Sequence, residues 1–290
     1  MHPAHSIIIF TVTSGLGFGL LAWLGIGQPA VTGWAAFWYF ALAFALSVGG
    51  LISSTFHLGN PQRAWRAFSQ WESSWLSREG VLAVATLLVM GIYALFAVFF
   101  DQTLAVLGII GAILAIATVF ATSMIYAQMK TVPRWNHWST PTLFMVLSIG
   151  GGALLAGQVL VAVILLAIAG VLQVSSWSRG DMALSQSGSD IGSATGLGVR
   201  GIVRAFEPPH TGNNYLLKEM VHKVGRKHAR KLRLIALALM VLVPVLLLLI
   251  PGGWVVVVLA ALAHVAGTLA QRWLFFAEAE HVVGLYYGKR

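Results

Sequence analysis

The chain has 290 residues, of which 58% are hydrophobic and only 9% are charged. Soluble domains carry about 25% charged residues, so the composition excludes an ordinary soluble protein and indicates an integral membrane protein. The 18 Lys and Arg outnumber the 9 Asp and Glu and give a net charge of +9. Because these basic residues lie between apolar segments rather than on one soluble face, nucleic-acid binding is excluded as well.

The sequence contains no cysteine. Conventional iron–sulfur clusters are held by Cys thiolates, so this chain cannot hold such a cluster, and it cannot form a disulfide. The first apolar segment lacks the basic start and the small-residue cleavage site of a signal peptide. We therefore expect it to be retained as a helix.

Apolar segments predict an all-α membrane bundle. About 20 apolar residues cross a bilayer, and such segments occur at 6–26, 34–56, 81–100, 103–127 and 254–275. A sixth segment, 234–250, is shorter but contains no charge. The uncharged stretch 142–177 is too long for one crossing, and a break at 157–158 divides it into two short helices. The prediction is eight transmembrane helices in a single membrane-anchor domain, residues 1–290.

Three features inside these segments have structural interpretations. The glycines at 15, 17 and 19 follow no strand, so close helix packing is expected rather than phosphate binding. Pro244 is expected to kink its helix without ending it. His264 is the only histidine well inside a span, and haem usually needs two on facing helices. We therefore expect no haem and no metal site, and a hydrogen-bonded packing role for His264.

The basic residues segregate completely in the eight-helix arrangement. All 18 Lys and Arg fall on the side of the two termini, with Arg272 counted among those that follow the last helix. The other side holds only Asp101 in a tight turn. Because short cytoplasmic loops are rich in Lys and Arg, both termini are predicted to be cytoplasmic, in a multi-pass protein of the bacterial inner membrane.

The longest predicted cytoplasmic connection covers residues 178–233. Its first half is rich in Gly and Ser, and Pro208 and Pro209 then interrupt the chain. Between 215 and 231, the apolar residues Leu217, Met220 and Val221 are spaced among Lys, Arg and His. This spacing predicts an amphipathic helix that lies on the inner membrane surface.

The loop 57–80, HLGNPQRAWRAFSQWESSWLSREG, carries most of the candidate chemistry. His57 ends the second helix and Glu79 opens the third, so an imidazole and a carboxylate lie at similar membrane depth. Such a pair suits hydrogen bonding to a quinone and proton exchange. The alternatives are that each residue complements a helix dipole and that Arg78 forms an ion pair with Glu79.

Five tryptophans are predicted on cytoplasmic loops. Most are expected to anchor helix ends at the lipid headgroups, and some to line a flat aromatic pocket. They are Trp65, Trp71, Trp75, Trp135 and Trp138.

Five segments resemble the dimethyl sulfoxide reductase membrane-anchor family: MHPAHSIIIFTVTSGLGFGL, STFHLGNPQRAWRAF, SSWLSREG, YAQMKTVPRWNHWSTP and RWLFFAEAEHVVGLYYG. The resemblance spans most of the chain, and the second and third segments are its most specific part. It implies eight helices, usually no haem, and electron exchange between membrane quinone, either ubiquinone or menaquinone, and an iron–sulfur subunit. That subunit and a molybdopterin catalytic subunit would bind one face of this chain, while the helices of this chain contact membrane lipids.

The family's quinone-site histidine and glutamate match His57 and Glu79. This match strengthens the quinone interpretation over the dipole alternative. The predicted quinone site adds supporting residues from the same loop and the preceding helix, namely Arg78, Ser54, Arg63, Trp71 and Trp75.

The loop 178–233 resembles that of the anchors of cytoplasmic sulfite-oxidising complexes within this family. The resemblance implies that partner subunits on the cytoplasmic face oxidise sulfite, while this chain carries the quinone site and no substrate pocket. Two alternatives stay open. One is the anchor of a dimethyl sulfoxide or N-oxide reductase that oxidises menaquinol. The other is a membrane transporter, for which the spans offer little beyond His264 and the glycines at 150–152.

Overall fold

A computed structural model describes residues 1–56, 59–207, 210, 212, 214–221 and 228–288. Within these residues the regular structure is helical and contains no strand. The long helices are α1 (His5–Gly25), α2 (Gly33–Thr55), α3 (Trp75–Phe99), α4 (Ala105–Ala127), α5 (Ser139–Leu155), α6 (Val159–Gln186), α7 (Ala229–Leu248) and α8 (Gly253–Ala277). Short helical turns cover Pro61–Gln70, Ile191–Thr195, Gly198–Arg200, Leu216–Met220 and Val282–Tyr287.

The all-helical prediction is confirmed, and seven helices in the described part of the chain are long and apolar enough to cross a membrane. The predicted eighth crossing depends on α5, which is apolar but has only 17 residues. The predicted break is confirmed: α5 ends at Leu155 and α6 begins at Val159. Gly157 allows the turn because it adopts a φ of +71°, which side chains with a Cβ disfavour.

Regular helix extends into both ends of the predicted 178–233 connection. α6 continues to Gln186 and α7 begins at Ala229, because charged side chains near both ends pair with neighbouring elements. In the predicted amphipathic segment, Leu216–Met220 forms a π-helical turn. Residues 222–227 lie outside the described residues, so the amphipathic helix stays a prediction.

Helix α1 lies at the centre of the bundle, where it packs against α2, α4 and α5. Its glycines make this possible, as predicted: a Cβ at Gly17 would collide with α2 at Ser47, and one at Gly19 would collide with the backbone of α5. The indole Nε1 of Trp23 donates a hydrogen bond of 2.9 Å to the carbonyl of Ile149. Small residues thus bring α1 into backbone contact with two neighbours.

The contact between α7 and α8 explains how α7 accommodates Pro244 and why His264 is buried in α8. Pro244 has no N–H to bond the carbonyl of Met240 four residues earlier, and α7 widens into a π-helical turn at Ala238–Leu242. His264, which is buried, donates its Nδ1–H to that carbonyl at 2.8 Å. The hydrogen-bonded packing role predicted for His264 is confirmed. α7 continues through Pro244 as predicted, and a kink there stays a prediction.

The start of the chain lies beside the end of α8. The amino group of Met1 donates a hydrogen bond of 2.7 Å to the carbonyl of Ala279. Further hydrogen bonds join the end of α2 to the start of α1, the end of α4 to the start of α3, and the residues after α8 to the α4–α5 connection. Ion pairs join that connection to α6, α7 and the end of α8. The starts of α1, α3, α5 and α7 and the ends of α2, α4, α6 and α8 therefore share one end of the bundle, called here the loop end. The assignment of the loop end to the cytoplasm stays a prediction.

Candidate functional site

Glu79 lies in the second turn of α3, where its side chain faces α4 and is only 4% exposed. The hydroxyl of Thr122 on α4 lies 2.5 Å from the carboxyl oxygen Oε1. The same hydroxyl lies 3.0 Å from the carbonyl of Thr118, and a hydroxyl carries one proton. Two arrangements follow: Thr122 donates to an ionised Glu79, or a protonated Glu79 donates to Thr122, which then donates to Thr118.

The loop before α3 is fastened over the first turn of that helix. Ser74 caps α3 by accepting a hydrogen bond from the N–H of Ser77. The Ser77 hydroxyl in turn donates to the carbonyl of Ala67 and accepts from the N–H of Gln70 at 3.1 Å. These bonds hold the 3₁₀ helix Pro61–Gln70 against the same end of α3 that carries Glu79.

Arg78 turns away from Glu79 and binds the loop. Its guanidinium donates to the carbonyls of Trp71 at 3.0 Å and Glu72 at 2.6 Å, and it lies 4.4 Å from the ring centre of Trp75. The ion pair between Arg78 and Glu79 is therefore not formed. Among the described residues, Glu79 has Thr122 and no charged partner.

The other predicted site residues lie at the same end of the bundle. Ser54 bonds the carbonyl of Leu51 within α2 at 2.6 Å, and Arg63 is exposed on the 3₁₀ helix. Trp71 is exposed, while Trp75 packs edge-on against Phe120. His57 lies outside the described residues. Membership of all of these residues in a ligand site stays a prediction.

On the interior side of the Glu79–Thr122 pair, Thr122 lines a cleft together with Thr11, Ser14, Phe144 and Ser148. This cleft leaves no room for a water molecule. A larger cavity of about 520 Å³ at the opposite end of the bundle is lined mostly by apolar residues with Tyr93, without carboxylate or imidazole.

A charged cluster at the loop end was not anticipated from the sequence. The carboxylate of Asp181 pairs with Arg134 at 2.7 Å and with Arg233 at 2.6 Å. Glu278 pairs with the same arginines at 3.6 and 2.7 Å. The cluster joins the α4–α5 connection to α6, α7 and the end of α8, and it explains why α6 and α7 extend beyond their apolar segments. The four residues are far apart in sequence, so no spacing reveals them.

The expectation about Arg272 was wrong. It does not follow the last helix but lies within α8, 2% exposed, with its guanidinium 3.7 Å from the ring centre of Phe144. Among the five loop tryptophans, Trp135 is buried rather than interfacial. It is 1% exposed, stacks on Phe275 at 5.0 Å, and donates to the carbonyl of that residue. By contrast, Trp65 and Trp138 are exposed, and their anchoring at the lipid headgroups stays a prediction.

Two histidines at the loop end serve as hydrogen-bond acceptors. His137 Nδ1 accepts from the N–H of Ser139 at 3.1 Å, and His281 Nδ1 accepts from the N–H of Val283 at 3.0 Å. Burial and the positive charge of Arg179 lower the pKa of His137, while burial and the positive amino terminus lower the pKa of His281. Both shifts favour the neutral imidazole, whose Nδ1 can accept these hydrogen bonds.

Comparison with known proteins agrees with this architecture. The chain matches the family described as DMSO reductase anchor subunit (DmsC) over residues 1–288. It is 31% identical to the C subunit of sulfite dehydrogenase from Allochromatium vinosum over 99% of both chains. It is also 32% identical to anaerobic dimethyl sulfoxide reductase chain YnfH of Escherichia coli, over 53% of this chain and 56% of that one. No solved structure matches. The chain belongs to the DMSO reductase anchor subunit family and is a multi-pass membrane anchor of a complex of that family.

Proposed function

We propose that this chain is the quinone-reactive anchor of a molybdopterin and iron–sulfur oxidoreductase in the bacterial inner membrane. Glu79 carries the proposal. A carboxyl that is buried at the boundary of a membrane bundle is unusual and marks a functional position. Among the described residues its one hydrogen-bond partner is the neutral Thr122, whose hydroxyl serves either protonation state. Glu79 can therefore gain and lose a proton without rearrangement of its helix.

The chemistry requires such a group. Oxidation of sulfite with one water gives sulfate, two protons and two electrons, and reduction of a quinone to its quinol consumes two electrons and two protons. In this proposal the quinone ring reaches Glu79 from the loop side, where Trp71, Trp75 and Arg78 lie, and His57 is a further predicted residue of the site. Glu79 passes protons from the cytoplasm to the quinone oxygens. Electrons come from a cluster in the partner subunit, since this chain has no cysteine.

Sulfite is the proposed substrate of the partner subunits. The support is the 31% identity over 99% of both chains with the sulfite dehydrogenase protein, and the concentration of Lys and Arg on the side of the quinone loop. The similarity to a dimethyl sulfoxide reductase chain covers about half of each protein. The reductase alternative places the loop end in the periplasm instead.

The partner subunits dock at the loop end in this proposal. Beyond α6, the side chains of Val199, Ile202 and Phe206 are almost fully exposed. They follow a short helix that is tied to the end of the chain by a hydrogen bond of 2.8 Å from Tyr286 to the carbonyl of Ala194. Exposed apolar side chains on an anchored loop are suited to contact with another subunit.

Substitution of Glu79 tests the quinone site in the assembled complex. In membranes that contain the complex, Glu79→Gln and His57→Ala are expected to abolish sulfite-dependent quinone reduction while sulfite-dependent reduction of a soluble dye continues. Glu72→Gln is the matched control, because Glu72 lies in the same loop with an exposed side chain. Normal quinone turnover in both site variants would exclude the proposed site.

Topology and substrate are tested separately. A reporter fused after Arg290 should be active in the cytoplasm, and a periplasmic terminus would favour a sulfoxide or N-oxide reductase instead. With a cytoplasmic terminus, membranes of a strain that expresses the complex should reduce quinone on addition of sulfite. A lack of that activity would count against sulfite.

A further inference from the structure

A small cavity lies at the loop end between α5, α6 and α8. It offers about 20 Å³ to an occupant the size of a water molecule, which is room for one such particle. Three of the side chains that line it, Arg134, Gln271 and Arg272, each have a buried polar atom without a hydrogen-bond partner. These atoms are the two arginine Nε atoms and the Oε1 of Gln271. Buried polar atoms are rarely left unpaired, so three around one cavity point to an occupant.

Charge favours an anion over water. The cavity lies beside the charged cluster described above. In the described structure the cavity and the cluster together contain four arginines, namely Arg134, Arg179, Arg233 and Arg272. They contain two carboxylates, those of Asp181 and Glu278, so two positive charges are in excess. Arg272 is the extreme case: it is 2% exposed, and no carboxylate among the described residues pairs with it. A buried cation without a counter-charge is costly. Water would satisfy its N–H but would not compensate its charge.

The glutamine pair can adapt to an anion. In one orientation of its amide, Gln271 donates from Nε2 to the Oε1 of Gln173 at 2.8 Å. The Oε1 of Gln271 then has no hydrogen-bond partner. Amide oxygen and nitrogen are assigned from the hydrogen-bond network. If both amides turn over, the bond between them is kept and Gln271 presents its NH₂ instead. The site then offers donors from Arg134, Arg272 and Gln271.

We propose that this cavity binds one small inorganic anion of halide size, which acts as the counter-charge of Arg272 and joins α5, α6 and α8. Glu278 also lines the cavity, but its carboxylate is already paired with Arg134 and Arg233. The proposal does not depend on the quinone site, since none of these residues belongs to it.

Thermal unfolding of the full chain in detergent tests the proposal, with sodium bromide replacing sodium gluconate at constant ionic strength. The midpoint of the wild-type protein should rise with bromide and saturate, because a ligand that binds only the folded state stabilises it. Arg272→Gln should lose this response. Arg230→Gln, which removes an exposed arginine, should keep it. Equilibrium dialysis with radioactive chloride should find about one ion per wild-type chain, as one cavity of this size predicts.

Gln271→Glu keeps the test decisive if Arg272→Gln does not fold. A carboxylate at this position supplies the negative charge covalently, so the variant should be insensitive to bromide and at least as stable as the halide-saturated wild type. If the cavity holds only an ordered water, dialysis finds no chloride and the wild-type midpoint does not respond to bromide. Either that result, or a Gln271→Glu variant that is destabilised and still responds to bromide, overturns the proposal.

Discussion

Thr122 Oγ1 and Glu79 Oε1 lie 2.5 Å apart inside the bundle and link α4 to α3. The hydroxyl has a second acceptor, the carbonyl of Thr118, at 3.0 Å. A carboxyl with a partner that reverses its hydrogen-bond direction can change protonation state in place. A fixed donor such as a backbone N–H or a lysine would favour only the ionised form.

Thr122→Val should damage this pair, and Thr122→Ser should preserve it. Valine has a similar shape but no hydroxyl, so Glu79 would be left buried without a partner, at a cost of about 1–3 kcal/mol. We expect a lower unfolding midpoint and slower quinone reduction in Thr122→Val, with values close to wild type in Thr122→Ser. A loss in Thr122→Ser as large as that in Thr122→Val would contradict the assignment of the effect to the hydroxyl.

Glu278→Gln should destabilise the protein more than Asp181→Asn. Each carboxylate joins Arg134 to Arg233, but the Glu278 side chain is 6% exposed and that of Asp181 is 46% exposed. Loss of the buried charge is expected to cost about 1–3 kcal/mol, and loss of the solvated one under about 1 kcal/mol. Denaturation in mild detergent measures both. The reverse order would contradict the assignment of the cluster's stability to Glu278.

Gly19→Ala should disrupt the bundle, whereas Gly49→Ala should not. A Cβ at position 19 would collide with the backbone at Ser148, while one at position 49 meets no atom within 4 Å. Overpacking of this kind costs about 1–3 kcal/mol, and alanine at an open helical position gains up to about 1 kcal/mol. The yield and unfolding midpoint of the two purified variants provide the comparison. Similar behaviour of both would mean that α1 and α5 can separate without loss.

Acid should loosen the loop end through His137. Its folded-state pKa lies below the ordinary value of 6.5, so the unfolded chain binds the proton more readily. The stability that depends on the neutral imidazole is complete above a pH of about 6.5 and falls as the pH decreases below that value. Protonation would place an N–H against the N–H of Ser139. His137→Asn keeps an acceptor without titrating and should reduce the acid sensitivity, as followed by protease cleavage between about pH 7.5 and 5.5, the range in which an ordinary histidine changes charge.

Much of the fold could be predicted because apolar length and Gly157 are local signals. The helix ends could not, since Asp181 and Arg233 extend α6 and α7 through pairing between distant segments. Glu79 was found from its type and place in the loop. Its partner Thr122 and the burial of Arg272 were missed, because hydroxyls are common in membrane helices and an arginine near a helix end is normally solvated. Only packing distinguishes these cases.

The contact between Trp23 and Ile149 also constrains how the protein is made. The two residues are 126 positions apart, and ribosomes add about 5–20 residues per second. Translation must therefore continue for about 6–25 s before α1 meets α5. During that interval the part of α1 that packs against α5, around Gly19, is open to lipid or to the insertion machinery. The rate of synthesis through α2 to α4 thus sets how long α1 waits for α5.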